Sequence, residues 1–405
     1  MELIFTHCNL ATMDQGRYHI IQDAGLVVSG KSITWMGPMA ELDIQAHGDA
    51  KTIDCQNKWI LPGFVDCHTH LIWGGSRSRE FEMRLSGASY EEISRAGGGI
   101  MSTVNATRKA SADQLQQAAE KRMKAMLASG VTTVEIKSGY GLNMETELKM
   151  LEVAGRLKST MAQNVESTFL GAHALPPEFK SDSTGYVDMV INEMLPRVKD
   201  QGIATAVDVF CENIAFSREE TQRIFQAATD MGFRVKLHAE QLSDSDGSAL
   251  AAGFNALSCD HLEYLSEKGI QAMAQSGTIA VLLPGAFHYL RETKLPPMDA
   301  LRENNVPIAL STDLNPGTSP VHAMPLILNM GCLLFGMTCE EAIAGATWNG
   351  ARALGMGENK GSLEVGKDAD LVLWDIEAPS DLCYLSGTTP VEMVVINGEI
   401  AYTAP

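Results

Sequence analysis

Five side chains in this sequence have the chemistry of a divalent-cation site: His68 and His70, one residue apart in His68-Thr69-His70, then His238, His261 and Asp313. In extended backbone, positions i and i+2 face the same way, so the first two imidazoles can converge on one ion. Neutral imidazoles with a carboxylate suit a borderline-soft metal such as zinc or Fe(II), and a coordination position left open for water makes such a site hydrolytic. A His-x-His pair alone is weak, and His261 taken singly reads as a hydrogen-bonded loop residue. The pair directly follows Leu61-Pro62-Gly63-Phe64-Val65-Asp66, and Asp313 closes the last strand of a series, which argues against coincidence. His7, His19, His47, His288 and His322 have no such neighbours and default to structural roles.

The elements that must position these residues are short runs rich in β-branched side chains: Phe64–Cys67, Val131–Ile136, Val165–Leu170, Ala206–Cys211, Arg234–Leu237, Ala256–Cys259, Thr278–Leu283 and Pro307–Ser311. Most are followed by helical segments. Ser111 with Gln114, and Ser217 with Glu220, have capping-box spacing, and Gly130 and Gly232 stand where each helix would end. Strand and helix alternating eight times over roughly 250 residues predicts an α/β fold, a (β/α)8 TIM-like barrel. An open doubly wound sheet ranks below it, because no Gly-x-Gly-x-x-Gly follows the first strand. In a barrel the chemistry belongs at the carboxyl ends of the strands, where His68, His70, His238, His261 and Asp313 fall.

Both ends of the chain read as β. Leu3–Phe5, Gly25–Val28 and Ser32–Met36 precede the barrel; Ala369–Trp374 and Val391–Ile396 follow it, and Asn397-Gly398 predicts a type I′ hairpin into Glu399–Tyr402. Neither end has strands enough for a stable sheet. They are expected to pack as one small β-sandwich, from residues 1–61 and 359–405, around a barrel of residues 62–358. The stretch Gly74–Ser102, rich in Gly, Ser and Arg, is expected to be a long loop, either a lid or a surface excursion. Leu326–Phe335 reads as the last barrel helix or a buried interface.

Composition narrows the class of function. The chain has 405 residues, 45% apolar and 20% charged, which excludes a disordered or collagen-like protein. A net charge of −19 argues against nucleic acid and anionic membranes as partners, since both require a basic face. No apolar run approaches the ~18 residues of a membrane span. Met1–His7 has no basic region leading into an apolar one, so no signal peptide is expected. Eight cysteines without a Cys-x-x-Cys predict reduced thiols in a cytoplasmic protein, with no disulfide or zinc-finger framework. A homodimer is the default assembly.

The Pro62-Gly63-Phe64-Val65-Asp66-x-His68-x-His70 lead-in, the split β ends and the closing Gly361–Val372 segment resemble the amidohydrolase superfamily over almost the whole chain. That resemblance implies a metal-dependent hydrolase. Many binuclear members carry a carboxylated lysine at the end of the fourth strand. Here that strand ends Phe210-Cys211-Glu212-Asn213, so one divalent ion per chain, Zn2+ or Fe2+, is expected, with Glu212 the residue left for a second. Lys137, on the second strand, reads as structural or as a support behind the metal ligands. Lys137–Leu142, Gly171–Ala174, Lys236–Gln241 and Ser311–Ser319 are similar to members that open the ring of 4-imidazolone-5-propanoate to N-formimidoyl-L-glutamate in histidine breakdown. By resemblance His68, His70, His238 and Asp313 bind the metal, while Arg77, Tyr140, His173, Gln241, Asn315, Gly317 and Thr318 contact a small anionic substrate.

The residue types suit that reaction. Asp313 can take a proton from the attacking water and return it to the leaving ring nitrogen, and His261 can orient the water or stabilise the oxyanion. The substrate's carboxylate must be held by local donors, because the whole-protein charge repels it. Arg77 can bind it bidentately, Tyr140 by its phenol, and Gly317 and Thr318 by backbone N–H groups and a hydroxyl. Gln241 is an amide and cannot be a base, and Glu240 beside it should face the other way. Two rival functions stay open: an aminohydrolase of a heterocyclic base on the same scaffold, which would not need the carboxylate-binding set, and a catalytically silent scaffold protein, which would be expected to lose ligands.

Overall fold

The computed structural model describes residues 2–88, 92 and 98–405. The amino-terminal strands are β1 (Glu2–Ala11), β2 (Ile20–Ser29), β3 (Ser32–Pro38), β4 (Lys51–Asp54) and β5 (Trp59–Pro62). Eight more follow: β6 (Phe64–Asp66), β7 (Val131–Lys137), β8 (Asn164–Ala172), β9 (Ala206–Cys211), β10 (Arg234–Ala239), β11 (Ser258–His261), β12 (Ile279–Leu282) and β13 (Ile308–Leu310). The chain closes with β14 (Leu371–Trp374), β15 (Val391–Ile396) and β16 (Glu399–Thr403).

Strands β6 to β13 pair with their chain neighbours in order, and every pairing is parallel. Such strands are buried on both faces, which is why β7, β11, β12 and β13 are buried at every position, charged residues included. The helices between them start where the sequence predicts. Both halves of the Ser111–Gln114 and Ser217–Glu220 capping boxes are made, and Gly130 and Gly232 take left-handed φ just past the helix ends. β11 begins two residues later than expected. Asn255 turns through positive φ, and ladder pairing resumes only at Ser258 opposite Ile279, so His261 lies inside the strand.

The barrel closes between β13 and β6 through side chains as well as backbone. His70 N–H donates to Leu314 O at 3.0 Å, and Thr69 bridges Leu314 in parallel. One turn deeper the buried Asp66 carboxylate accepts from the Ser311 hydroxyl, from Thr312 N–H at 3.1 Å and from the Thr312 hydroxyl at 2.6 Å. Asp66 therefore stitches the strand that carries His68 and His70 to the one that leads into Asp313.

The strands at the two ends of the chain join in one sheet, in the order β16-β15-β14-β5-β1-β2-β3, with β4 also on β1. Irregular register after Phe5 bends β1, so its first half pairs with β4 and its second with β5. The sheet thereby curls around a core shared by both ends, including Phe5, Leu10, Leu26, Leu371 and Val395. Asn397 and Gly398 both have positive φ, as the type I′ hairpin requires. Phe64 and Trp374, with ring centroids 5.3 Å apart, tie this sheet to the barrel. The closing segment has a role of its own: the Asp370 carboxylate accepts from Asn397 N–H, from the Asn164 amide at the start of β8 and from Lys360.

The Gly74–Ser102 stretch is not the structureless loop expected. It contains the helix Ser78–Leu85 and the start of the helix Ile100–Lys109; residues 89–91 and 93–97, except Glu92, lie outside the described residues. Glu80 at the first helix's start and Arg84 near its end suit its dipole, which explains a helix in a glycine-rich sequence. Among the described residues no helix is long and apolar enough to cross a membrane.

The closure makes a stability prediction. Asp66→Ala strips the acceptor from three donors at a buried seam, at ~1–3 kcal/mol for each one left unsatisfied. Urea denaturation should show a loss of about 3 kcal/mol or more, and a midpoint within error of the parent would remove the stitching role.

Candidate metal centre and active site

The carboxyl ends of β6, β10, β11 and β13 bring the imidazoles and Asp313 into one buried cluster. His68 Nε2 lies 3.5 Å from Asp313 Oδ1, His70 Nε2 lies 3.6 Å from the same oxygen, and His238 Nε2 lies 3.3 Å from His70 Nε2. Ligand atoms ~2.1 Å from a tetrahedral zinc are ~3.4 Å from one another. The spacing thus fits a shell around one small cation. His68 Nε2 is buried with no hydrogen-bond partner among the described residues, an arrangement that would waste a polar atom unless it has a ligand to meet.

The second nitrogens explain why these rings converge. His68 Nδ1–H donates to Asp260 Oδ2 at 2.6 Å, and His238 Nδ1–H to Asp208 Oδ1 at 3.1 Å. A carboxylate on Nδ1 fixes the tautomer that leaves Nε2 as a lone pair and raises its basicity. Asp208 and Asp260 in turn surround Lys137, whose Nζ is 2.7 Å from Asp208, 3.1 Å from Glu135 and 3.7 Å from Asp260. Lys236 Nζ completes the lattice at 2.8 Å from Glu135 and 2.8 Å from Cys67 O. Lys137 is structural, as expected, and its ammonium already stands between the carboxylates that a second metal would use. Glu212 has its oxygens turned to Leu242 N–H and to Ser243.

Burial drives the charge states. It pushes His68, His70 and His261 well below the ordinary imidazole range, assisted by Lys137 for His68, so the rings are neutral and competent as ligands. Burial also raises the Asp313 carboxyl well above its usual range, a penalty that a cation alongside would offset. For Asp208 and Glu135 burial opposes ionisation, but His238 and Lys137 outweigh it for the first, Lys137 and Lys236 for the second. Both are held low.

His261 sits beside this shell, its ring 5.8 Å from that of His68 and 5.5 Å from that of His238, with a buried Nδ1 that has no partner among the described residues. His261 and Asp313 both have left-handed φ, 83° and 49°. On the other flank His173 stacks on His70 at 5.0 Å and Tyr140 lies 5.5 Å from His173. His173 Nδ1–H donates to Gly139 O at 3.0 Å, which leaves its Nε2 as an acceptor, and burial lowers its pKa to about 4. The loop that carries Tyr140 is pinned by Glu147, whose carboxylate accepts from Gly139, Gly141 and Leu142 N–H. Gln241 is half-buried just beyond β10, and Glu240 turns away as predicted, into Gly247 N–H and Ser248.

The turn expected to meet the substrate carboxylate makes hydrogen bonds of its own in this structure. The N–H groups of Gly317 and Thr318 are both donated to Asn315 Oδ1, each at 2.8 Å, and the Asn315 amide donates to Asp313 O and to the Thr318 hydroxyl. This turn is satisfied internally and frames Asp313. Arg77 lies against this turn: a Cβ on Gly317 would fall 2.2 Å from one of its terminal nitrogens, so only glycine lets the guanidinium pass. Glu80 pairs with Arg77 through Nε and Nη2, each at 2.9 Å, and also accepts from Gly99 N–H, and Arg77 lines a cleft of about 400 Å³ with Trp73, Arg84, Arg122 and Tyr289. Glu80, Asp208, Asp260 and Glu135 were not among the sequence-predicted site residues. Three of them are legible as charged residues inside otherwise apolar strands; Glu80 leaves no such trace.

Residues 59–401 match the family model described as the amidohydrolase family. The chain is 54% identical over 398 residues to imidazolonepropionase from Pseudomonas syringae pv. tomato, covering 98% of this chain and 99% of that one. It is 54% identical over 403 residues to imidazolonepropionase from Pseudomonas putida, covering 99% and 100%. Solved structures share the fold at low identity: an amidohydrolase with TM-score 0.73 and 17% identity over both whole chains, and an adenosine deaminase from Xanthomonas campestris with bound zinc, TM-score 0.72 and 19% identity over 98% of this chain and 92% of that one.

If the aspartates set the imidazole tautomers, Asp208→Ala and Asp260→Ala should each cost roughly 10- to 100-fold in metal affinity. Competition against a chelator of known affinity measures this directly. Unchanged affinity in both would reduce the two carboxylates to a purely structural role.

Proposed function

Because the chain belongs to the amidohydrolase family, in its imidazolonepropionase branch, we propose that it hydrolyses the ring amide of 4-imidazolone-5-propanoate to N-formimidoyl-L-glutamate, a step in histidine degradation. The observation that carries this reading is the buried imidazole–carboxylate cluster, in which His68 and His70 stand 3.5 and 3.6 Å from Asp313 and His238 stands 3.3 Å from His70, in a chain with near full-length identity to imidazolonepropionases. We assign one divalent ion, Zn2+ or Fe2+, to His68, His70, His238 and Asp313. When bound it supplies Lewis acidity, bringing the pKa of water toward neutrality and polarising the ring carbonyl.

The chain's own groups do the rest. Asp313 accepts the proton of the attacking water and passes it to the ring nitrogen as the carbon–nitrogen bond breaks, so the leaving group departs neutral. His261, neutral and with an unspent nitrogen, donates to the oxygen that gains charge as the carbonyl becomes tetrahedral. His173 offers Nε2 to a ring N–H, and Tyr140, whose phenol burial keeps protonated, donates from the same side. Gln241 borders the ring position without acting as a base. Arg77 pairs with the propionate, aimed by Glu80 and given passage by Gly317, while Asn315 and Thr318 hold the turn behind Asp313. A net charge of −19 keeps nucleic acid and anionic membranes from being partners, and a cytoplasmic site of action follows from the pathway.

An aminohydrolase of a neutral heterocycle is the second reading, on the same shell, and the arginine-lined cleft disfavours it. Metal-loaded enzyme incubated with fresh imidazolone propionate should consume its ultraviolet absorbance without releasing ammonia, and a chelator should stop the reaction. No loss of absorbance would sink the proposal; ammonia from a heterocyclic base would favour the rival. Arg77→Ala should raise KM about 100-fold, for the loss of ~3 kcal/mol of charge-assisted hydrogen bonding, with kcat within a few-fold. An unchanged KM would free Arg77 from the substrate.

A further inference from the structure

Outside the barrel, three helices that carry no residue of the active site meet at their ends: Met324–Phe335, Cys339–Gly345 and Asp381–Tyr384. Each contributes one cysteine. Cys332, Cys339 and Cys383 are free thiols, and their sulfurs all lie within 4.8 Å of one another. The short third helix is fixed in place by Asn329, whose side-chain amide donates to Cys383 O at 2.7 Å. A fourth polar group faces the same place. The Tyr18 hydroxyl is buried without a hydrogen-bond partner among the described residues, and its segment is held there by Tyr18 N–H donating to Glu340, the neighbour of Cys339, at 2.9 Å.

The geometry points to a second metal site, in which Cys332, Cys339 and Cys383 bind one thiophilic d10 cation of the zinc–cadmium class. Metal–sulfur bonds of ~2.3 Å place three sulfurs of a trigonal face ~4 Å apart, so the observed trio needs shifts of only tenths of an ångström. Thiolates select soft ions, whereas the imidazole–carboxylate shell in the barrel accepts borderline ones, so the two sites differ in preference. As the three metal–sulfur bonds form, the three thiol protons pass to solvent. Cys332 and Cys339 are half-buried, which gives an ion a way in, and the Tyr18 hydroxyl can donate to a thiolate once the site is charged.

Cadmium is the probe, because thiolate-to-cadmium charge transfer gives an ultraviolet band that histidine and carboxylate ligands do not. Titration of reduced, metal-loaded enzyme should show the band saturating at one added equivalent per chain. C332S and the double variant C332S/C383S should lose it, while kcat/KM for the hydrolytic reaction stays within twofold and thermal unfolding stays cooperative. Two results would overturn the site: a band of equal strength in the parent and C332S, or no band in the parent. If C332S/C383S fails to fold, the half-buried single change C332S decides the matter alone.

Discussion

The site depends on a lattice of buried charge beneath it, and above all on the hydrogen bonds from His68 to Asp260 and from His238 to Asp208. Imidazoles packed this closely would repel one another if protonated and waste lone pairs if turned at random. A carboxylate on each Nδ1 settles both issues, keeping the ring neutral at Nε2 and aiming it inward. Carboxylates at such depth are themselves expensive, and Lys137 and Lys236 offset them, with Glu135 closing the balance between the two ammonium groups. Removing any one member would leave an unpaired charge in the barrel floor. That explains why four parallel strands carry ionised residues where packing alone would ask for valine.

That logic also sets how much of the molecule could be read from its sequence. The barrel was legible because its strands are short, β-branched and punctuated by helices with capping boxes, patterns that local chemistry dictates. The residues of the imidazole–carboxylate cluster were legible because they stand at strand ends in a fixed register with the apolar run before them. The charge lattice was partly legible: Glu135 and Lys137, or Lys236 and His238, are i, i+2 pairs that share the lumen face. Which carboxylate meets which imidazole was not, because Asp260 reaches His68 across the barrel from a strand nearly two hundred residues away. The helix Ser78–Leu85 was hidden by the glycines around it, and with it the pairing of Glu80 to Arg77. The three cysteines looked scattered because only the docking of separate helices brings them together.

The substrate side follows a different rule from the metal side. An anion approaching a protein of net charge −19 gains nothing from the long-range field, so recognition must be local and geometrically strict. In this structure the Gly317 and Thr318 N–H groups are donated within the Asn315 turn. Its value to recognition lies in what it allows: with no side chain at Gly317, the Arg77 guanidinium can lie against the turn that leads from Asp313. On the proposed mechanism affinity and chemistry are thereby mechanically linked, since one short segment carries Asp313 and sets the position of Arg77.

Two residues of the candidate site, His261 and Asp313, occupy left-handed backbone that non-glycine residues rarely adopt, at a cost of order 1–3 kcal/mol each. The cost has a geometric return. A strand alternates its side chains between lumen and exterior, so His261, which follows the lumen-facing Asp260 at the end of β11, would ordinarily point out of the barrel, and a residue past the strand end along its wall. Reversing φ there re-aims the side chain without lengthening the strand, which brings Asp313 Oδ1 within reach of both His68 and His70 and sets the His261 ring against them. The surrounding structure holds the strained conformations in place: Asn315 grips the Asp313 carbonyl, and β10 receives Leu262 N–H through Ala239 O. At these two positions an over-determined frame keeps the side chains from relaxing apart.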